Sequence, residues 1–317
     1  MREITIFSGS AHPALAAEIC EHLGVPLQPA QVQRFSNDCL EVQLQANCRE
    51  GDVFLVQPLV PPVQEHLVEL LMMLDAARGA SAARVTAVIP HYAYARSDKK
   101  DKPRVSVAGR LVADLLTTAG ANRVLTIALH APQVHGFFSV PTDHLNALNV
   151  LARHFRDRNL RNTVVVSPDL GNAKAAGAFA RLLGVPVAAG IKQRIADDRV
   201  VISTIVGDVD GRDVIVLDDE IANAGTLVEL LRRLRERRVG RIAVACTHGL
   251  FTGRAIERLR SQPDVEEIVA TNTVPIPEAK RLPHMTVLSI APLLSEAIRR
   301  IHQGESVSEL FATGGDW

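Results

Sequence analysis

Short apolar runs alternate with longer amphipathic stretches along the whole chain. The apolar runs predict buried strands, at residues 3–7, 53–57, 85–89, 124–128, 164–167, 214–217, 242–246 and 287–289. The amphipathic stretches predict helices, at residues 13–23, 62–79, 105–119, 145–158, 172–183 and 226–237. Strands that alternate with helices in this way indicate an α/β fold with open parallel sheets.

An internal repeat divides the pattern. Residues 51–58 resemble residues 212–219, and the strand at 84–91 matches the one at 241–248 in phase. The chain then has three predicted parts: an N-terminal unit at 1–147, a C-terminal unit at 148–290, and a last segment at 291–317 that packs back on the N-terminal unit. Because only the second copy keeps carboxylates at the strand end, we expect only that copy to bind a sugar phosphate.

The segment 214–226 carries the strongest chemical signal. Four apolar residues are followed by Asp218 and Asp219, a turn of small residues, and a helix that opens at Thr226. Free backbone N–H groups and the positive end of the helix dipole favour a phosphate dianion, and the carboxylates can accept hydrogen bonds from ribose hydroxyls. The alternative is an ordinary strand-to-helix turn with a capping aspartate.

Composition narrows the class of protein. The 317 residues include 35 basic and 35 acidic side chains, which argues against a general nucleic-acid binder or a protein of anionic membranes. The 4 cysteines form no CxxC pair, so we expect reduced thiols without a disulfide or zinc site. No signal peptide and no apolar run of membrane-spanning length is found. These features predict a cytoplasmic protein.

Three further groups of polar residues follow predicted strands. The loop with Arg96, Lys99 and Lys100 could hold a polyphosphate, although a solvated charged loop is the commoner explanation of such a cluster. His130 and Asp169 end neighbouring strands and could share a magnesium ion already bound to phosphates, or could be a cap and a satisfied polar residue. Residues 191–198 are polar and basic, which favours a mobile loop over a plain surface connector.

Two absences narrow the choice further. The sequence has no GxxxxGK[ST] motif, so ATP would not be held as in P-loop enzymes. No GxGxxG follows a strand, which removes the main argument for a dinucleotide oxidoreductase.

Ordered matches along nearly the whole chain resemble the ribose-phosphate diphosphokinase family, also called phosphoribosyl pyrophosphate synthetases. They lie at residues 7–9, 34–38, 87–90, 94–96, 129–131, 136–138, 167–169, 218–226, 289–293 and 301–308. The resemblance implies two tandem phosphoribosyltransferase-type, Rossmann-like domains. It also implies an enzyme that transfers the pyrophosphoryl group of ATP to ribose 5-phosphate, giving phosphoribosyl pyrophosphate and AMP.

The resemblance also implies roles for particular residues. Lys192 and Arg194 are the expected catalytic residues, and His130 and Asp169 the expected Mg²⁺ ligands. The expected ribose 5-phosphate site comprises Arg194, Asp218, Asp219, Ala222, Asn223, Ala224, Gly225 and Thr226. The expected ATP site comprises Phe35, Asn37, Asp38, Cys39, Arg96, Ser97, Asp98 and Lys99, with Phe35 stacking on adenine from an adjacent subunit of a homohexamer. ADP or phosphate effectors are expected at Arg49, Ser81, Gln133, Ser306 and Ser308.

Several positions depart from the pattern of this family. The usual F-S-D-G-E reads Phe-Ser-Asn-Asp-Cys at residues 35–39, and the aspartate of the D-L-H and D-T-A-G-T motifs is replaced by Ala128 and Ala222. These departures motivate one alternative, a non-catalytic regulatory partner of such an enzyme. The segment 218–226 motivates another, a phosphoribosyltransferase, although one copy of the repeated unit normally suffices for such an enzyme. The retained Lys192 and Arg194, with the expected metal ligands, favour an active enzyme instead.

Overall fold

Two parallel sheets with flanking helices form the core of the chain. The computed structural model describes residues 3–196 and 199–311, and the side chains of residues 193–201 and 311 lie outside that description. Within these ranges, no helix combines the length and apolar character needed to cross a bilayer. The predicted α/β fold with parallel sheets is confirmed.

The first sheet has six strands, all parallel. They are β1 (Ile4–Ser8), β2 (Leu27–Gln28), β5 (Asp52–Val56), β6 (Arg84–Ile89), β7 (Arg123–Ile127) and β8 (Thr142–Leu145), in the spatial order β2-β1-β5-β6-β7-β8. A separate antiparallel hairpin consists of β3 (Ala30–Arg34) and β4 (Leu40–Leu44). The helices of this half are α1 (Pro13–Leu23), α2 (Val63–Gly79) and α3 (Ala108–Ala119).

The second sheet has seven strands. They are β9 (Thr163–Ser167), β10 (Val187–Ala196), β11 (Arg199–Val206), β12 (Asp213–Ile221), β13 (Ile242–Gly249), β14 (Val265–Thr271) and β15 (Met285–Leu288), in the order β11-β10-β9-β12-β13-β14-β15. Only β11 runs antiparallel to its neighbour. The helices are α4 (Leu148–Arg156), α5 (Ala173–Leu183), α6 (Gly225–Glu236), α7 (Ala255–Arg260), α8 (Ala291–Gln303) and α9 (Ser308–Phe311).

Strand order repeats between the two sheets. The series β2-β1-β5-β6-β7-β8 has its counterpart in β10-β9-β12-β13-β14-β15, with the same parallel orientation. Strands β5 and β9 are buried at every position, as expected for parallel strands covered by helices on both faces. The division into domains at residue 147 stays a prediction.

Three predicted elements differ from the observed ones. The helix predicted from residue 145 begins at Leu148, because residues 142–145 form β8 and the Asn146 side chain accepts a hydrogen bond from the Leu148 N–H at 3.1 Å. Helix α3 begins at Ala108, whose N–H donates to the Ser97 hydroxyl at 3.0 Å. The loop predicted at 191–198 was wrong as far as residue 196, because β10 continues there in register with β11, and residues 197 and 198 lie outside the described ranges.

Helix α8 packs on the N-terminal half. Its buried face includes Leu294 and Ile298, which share one apolar cluster with Leu15 of α1 and Ile127 of β7. At the end of the helix, the carbonyl of Ile301 accepts a hydrogen bond from the Arg84 guanidinium at 2.9 Å. Helix α8 therefore stabilises the first sheet, although it follows β15, the last strand of the second sheet.

Two substitutions in α8 that remove different numbers of side-chain atoms test this packing. Leu294→Ala should lower the free energy of unfolding by about 2–5 kcal/mol, because the removed methyl groups leave a cavity in a fully buried position. Ile298→Val removes a single methylene from the same face and should cost only about 0.5–1.5 kcal/mol. Urea unfolding followed by circular dichroism measures both. Equal midpoints for Leu294→Ala and the unmodified chain would contradict the packing.

Candidate functional site

A cavity of about 790 Å³ is lined by residues from both halves of the chain. It lies at the carboxyl ends of β7, β9 and β12, the place where open α/β sheets bind ligands. Its lining includes Arg96, His130, Asp169, Lys192, Asp218, Asp219 and residues 222–226. The structure thus brings together residues that the sequence placed in separate metal, catalytic, nucleotide and sugar sites.

The turn between β12 and α6 has the geometry of an anion site. Ala224 adopts the left-handed conformation with φ of 60°, and α6 begins at the next residue. The Asn223 side chain accepts a hydrogen bond from the Gly225 N–H at 2.9 Å, and Arg258 donates to the Asn223 carbonyl at 2.7 Å. The N–H groups of Thr226 and Leu227, in the first helical turn, have no intrahelical acceptor. Such a turn is suited to binding a phosphate group.

Two adjacent carboxylates at the end of β12 have opposite pKa shifts. Burial and the negative charge of Asp219 raise the pKa of Asp218 well above its ordinary value. Burial is the largest influence on Asp219 and would raise its pKa, but the hydrogen bond of 2.6 Å with Nδ1 of His130, the charge of that ring and a hydrogen bond with Asp218 together lower it. The bond between His130 and Asp219 raises the pKa of His130. This contact therefore favours the charged forms of Asp219 and His130, while Asp218 holds its proton more tightly.

Asp169 and Lys192 form a second ion pair. Asp169 accepts a hydrogen bond from the Asn172 N–H at 3.0 Å through one oxygen and from the Lys192 ammonium through the other. Burial would raise the pKa of Asp169, but the Lys192 contact lowers it below its ordinary value. Lys192 is positioned by β10, and Asp169 follows β9, the neighbouring strand. Both side chains line the cavity.

Glu220 is a site residue that the sequence did not reveal. Its carboxylate forms an ion pair with Nη2 of Arg96 at 2.9 Å and accepts a hydrogen bond from Nε2 of His91 at 3.2 Å. Burial opposes ionisation, but these two partners lower the pKa of Glu220 below its ordinary value. A third acidic residue directly after an Asp-Asp pair was the available signal. Lys174, an exposed cation on α5 that lines the cavity, was missed as well.

A buried histidine of the second sheet, His248, contacts the first half of the chain next to the ion pair of Glu220 and Arg96. His248, in β13, places Nε2 3.1 Å from the carbonyl of Ala128 and its ring edge against His91, with ring centroids 4.9 Å apart. Burial lowers the pKa of His248 to about 4, so the ring is neutral near pH 7. Ala128, where the sequence departs from the family pattern, has a positive φ of 45°.

The remaining predicted ATP residues lie outside the cavity lining. Phe35, Asn37, Asp38 and Cys39 form the turn between β3 and β4, with the Phe35 side chain 43% exposed. In that turn, the Asn37 side chain accepts a hydrogen bond from the Cys39 N–H at 3.2 Å. Ser97 contacts the start of α3, Asp98 contacts Gln133, and Lys99 is exposed in the same loop.

The side chain of Arg194 lies outside the description, although its backbone belongs to β10. The five predicted effector residues are also absent from the cavity lining. Two of them are close in sequence at the carboxyl end, where the Ser308 N–H donates to the Ser306 hydroxyl at 3.2 Å. Arg49 lies shortly before β5 and Ser81 shortly before β6, and the N–H of Glu50 donates a hydrogen bond to the Ser81 carbonyl at 2.9 Å.

The oxygen-rich lining is compatible with a magnesium ion. In the described part of the chain, no three His, Cys, Asp or Glu side chains converge on one metal position. Mg²⁺, however, commonly uses one or two carboxylates and completes its shell with water and substrate phosphates. Asp169 and His130, both in the lining, provide such a partial set.

Two repeated parallel sheets, with a turn suited to anions at a strand end, place the chain among α/β proteins that bind ligands at the carboxyl ends of parallel strands. Residues 4–120 match the N-terminal domain of ribose phosphate pyrophosphokinase, and residues 189–312 match the phosphoribosyl synthetase-associated domain. The chain belongs to the ribose-phosphate pyrophosphokinase family.

Individual relatives extend over almost the full length. A ribose-phosphate pyrophosphokinase of Deinococcus radiodurans is 49% identical over 97% of this chain and 98% of its own. A Streptomyces coelicolor protein, provisionally named as the same enzyme, is 70% identical over 98% of both chains. The crystal structure of phosphoribosylpyrophosphate synthetase from Mycobacterium smegmatis is 39% identical, with a TM-score of 0.90 over 96% of this chain and 100% of that one. The family and the enzyme class predicted from sequence are thus confirmed.

Substitutions at Ala224 test the strained turn. Ala224→Gly should leave the free energy of unfolding within about 1 kcal/mol, because relief of left-handed strain offsets the greater freedom of the unfolded chain. Ala224→Val should lower it by about 1–3 kcal/mol, since a β-branched side chain is poorly tolerated at positive φ in a buried position. Urea unfolding compares the two. Valine as stable as glycine would contradict the observed backbone.

Proposed function

We propose that the chain carries out the reaction of its family in this cavity: the anomeric hydroxyl of ribose 5-phosphate attacks the β-phosphorus of ATP, the pyrophosphoryl group moves to the sugar, and AMP leaves. The observation that carries the proposal is the single cavity of about 790 Å³ that is lined by the anion-binding turn, the carboxylates of β12 and two cations, Arg96 and Lys192. One cavity thus contains partners for the phosphate ester and the hydroxyl groups of the sugar and for the polyphosphate of ATP.

The sugar phosphate is assigned to the second half. Residues 222–226 receive the 5-phosphate on backbone N–H groups, with Asn223 holding the turn through Gly225. Asp218 and Asp219 accept hydrogen bonds from the ribose hydroxyls. Because binding there relies on main-chain groups, alanine at position 222 is compatible with it.

Lys192 and Arg194 are assigned to the transferring group. Phosphoryl transfer depends mainly on positioning and on neutralising charge over the reacting oxygens. Lys192 stabilises that charge, and Arg194 holds the reacting groups and contacts the sugar phosphate. The Lys192 ammonium is paired with Asp169. An incoming polyphosphate therefore competes with Asp169 for this cation.

Magnesium is assigned to His130 and Asp169. Held by these two residues, a magnesium ion would supply positive charge that offsets the negative charge of the transferring group. Cavity residues already position both ligands, because His130 contacts Asp219 and Asp169 contacts Lys192. Each ligand would have to give up that contact in order to bind the ion.

The nucleotide is assigned to the loop after β6 and to the β3–β4 turn. Arg96, Ser97, Asp98 and Lys99 hold the phosphates and ribose of ATP. Phe35, with Asn37, Asp38 and Cys39, meets adenine from an adjacent subunit, and the exposure of the Phe35 ring leaves it available for such stacking. A homohexamer, ADP or phosphate effectors and a cytoplasmic location stay predictions from the sequence.

A coupled assay separates this function from the alternatives. Purified chain with ATP, ribose 5-phosphate and Mg²⁺ should release AMP. A regulatory partner would release none in any oligomeric state, and a phosphoribosyltransferase would consume phosphoribosyl pyrophosphate instead. Absence of AMP under all these conditions would contradict the proposal.

Replacing the cation tests the role of Lys192. Lys192→Ala should lower kcat by about 10²–10³, because charge stabilisation in the transition state is lost. Lys174→Ala removes another cation of the same cavity to which no step is assigned, and it shows whether any loss of lining charge has this effect. Initial AMP release rates at saturating substrates measure both. A kcat for Lys192→Ala within threefold of the unmodified enzyme would remove it from the reaction.

The sugar assignment has its own test. Asp218→Ala should raise KM for ribose 5-phosphate by about two- to tenfold, since a typical hydrogen bond is worth roughly 0.5–1.5 kcal/mol. KM for ATP should change much less. Separate saturation curves for the two substrates provide the measurement. An effect confined to ATP would mean that the two sites are reversed.

A further inference from the structure

Glu220 has no step in the proposed reaction, yet it is one of the most enclosed charged groups of the cavity. It lies in β12, two residues after Asp218, and its side chain is 7% exposed. Both carboxylate oxygens are engaged, and both partners belong to the loop that follows β6 in the first half of the chain. Burial of a carboxylate is unfavourable without such partners.

The contacts fix Glu220 from two directions. One oxygen forms an ion pair with Nη2 of Arg96 at 2.9 Å, and the other accepts a hydrogen bond from Nε2 of His91 at 3.2 Å. His91 is itself held, because its Nδ1 lies 2.8 Å from the carbonyl of Leu59. The Glu220 carboxylate is therefore a fixed acceptor rather than a freely moving surface group.

Arg96 gains an orientation from this acceptor. Its side chain is 52% exposed, so little else restricts its rotamers. A guanidinium carries five N–H donors in one plane. The ion pair with Glu220 uses one side of it, so other donors remain available to the cavity that Arg96 lines. Fixing a long side chain before the ligand arrives reduces the entropy lost on binding.

We infer that Glu220 is a positioning residue that orients Arg96 towards the phosphates of ATP and thereby ties the nucleotide loop to the strand assigned to the sugar. The inference depends on the proposed function, because it assumes that Arg96 contacts ATP. It adds a residue of the second half to the nucleotide site, although Glu220 itself touches no substrate.

An opposite effect of Glu220 is physically possible and can be distinguished. A carboxylate near a polyphosphate also repels it. Glu220→Gln separates the two effects, because it keeps an oxygen acceptor for Arg96 and removes the negative charge. If Glu220 positions Arg96, KM for ATP of the glutamine variant should stay level or rise, by no more than about threefold. If repulsion dominates, that KM should fall, which would overturn the inference.

Steady-state kinetics of the full chain provide the main test. Glu220→Ala should raise KM for ATP by about three- to tenfold, the affinity equivalent of one side chain that must be ordered on binding. KM for ribose 5-phosphate should change by less than twofold. Should the alanine variant not fold, Glu220→Asp replaces it, because the shorter side chain cannot reach both partners and the same selective rise is expected.

Glu267 offers a matched control. This carboxylate, in β14 of the same sheet, also pairs with one histidine and one arginine, His154 and Arg158, each at 2.7 Å. It is largely buried and does not line the cavity. Glu267→Ala should therefore leave both KM values unchanged. If Glu267→Ala and Glu220→Ala raised KM for ATP equally, the effect would be a general one of lost ion pairs, and the inference would fail.

A double-mutant cycle tests whether Glu220 acts through Arg96. In an Arg96→Ala background, Glu220→Ala should change KM for ATP by less than twofold, because no guanidinium remains to be oriented. An undiminished effect would overturn the inference. If Arg96→Ala raises KM for ATP and Glu220→Ala does not, the inference fails while the nucleotide site stands. If Arg96→Ala has no effect, the assignment of ATP to Arg96 fails and this inference fails with it.

Discussion

Three consecutive carboxylates at the end of one buried strand impose the main electrostatic constraint on the molecule. Asp218, Asp219 and Glu220 end β12, where uncompensated negative charge would cost several kcal/mol per group. Asp219 pairs with His130, Glu220 pairs with Arg96 and His91, and Asp218 has a raised pKa. The cations come from the first sheet, so neutralising this strand requires the two halves to meet at the cavity.

The same constraint prepares the cavity for anionic ligands. Arg96, His130 and Lys192 each have a carboxylate partner. In the proposed reaction, phosphate groups therefore meet cations that are already positioned. Lys192 would exchange Asp169 for a phosphate, whereas Arg96 would keep Glu220 and use its remaining donors. The turn at residues 222–226 differs, because it offers a phosphate the backbone N–H groups of the first helical turn rather than a charged side chain.

Periodicity predicted the central strands and most helices, because parallel strands buried on both faces read as continuous apolar runs, as in β5 and β9. It failed where an element is only partly buried. Strand β10 continues through Lys192 with polar side chains because its hydrogen bonds to β11, rather than a buried face, keep it extended. Strand β14 begins with Val-Glu-Glu, and Glu267 is stabilised there by His154 and Arg158, partners distant in sequence.

The residues of the candidate site likewise divide into those that the sequence revealed and those that it did not. Asp218, Asp219 and the turn after them could be recognised because the chemistry is contiguous in sequence. The link from Glu220 to Arg96 could not, because it joins residues more than one hundred positions apart whose proximity depends on how the two sheets pack. Calorimetric titration of ribose 5-phosphate into the chain, with a non-hydrolysable ATP analogue and Mg²⁺ present, tests the account most directly. Saturable binding at one site per chain is the predicted result, and no binding heat at any temperature tried would contradict it.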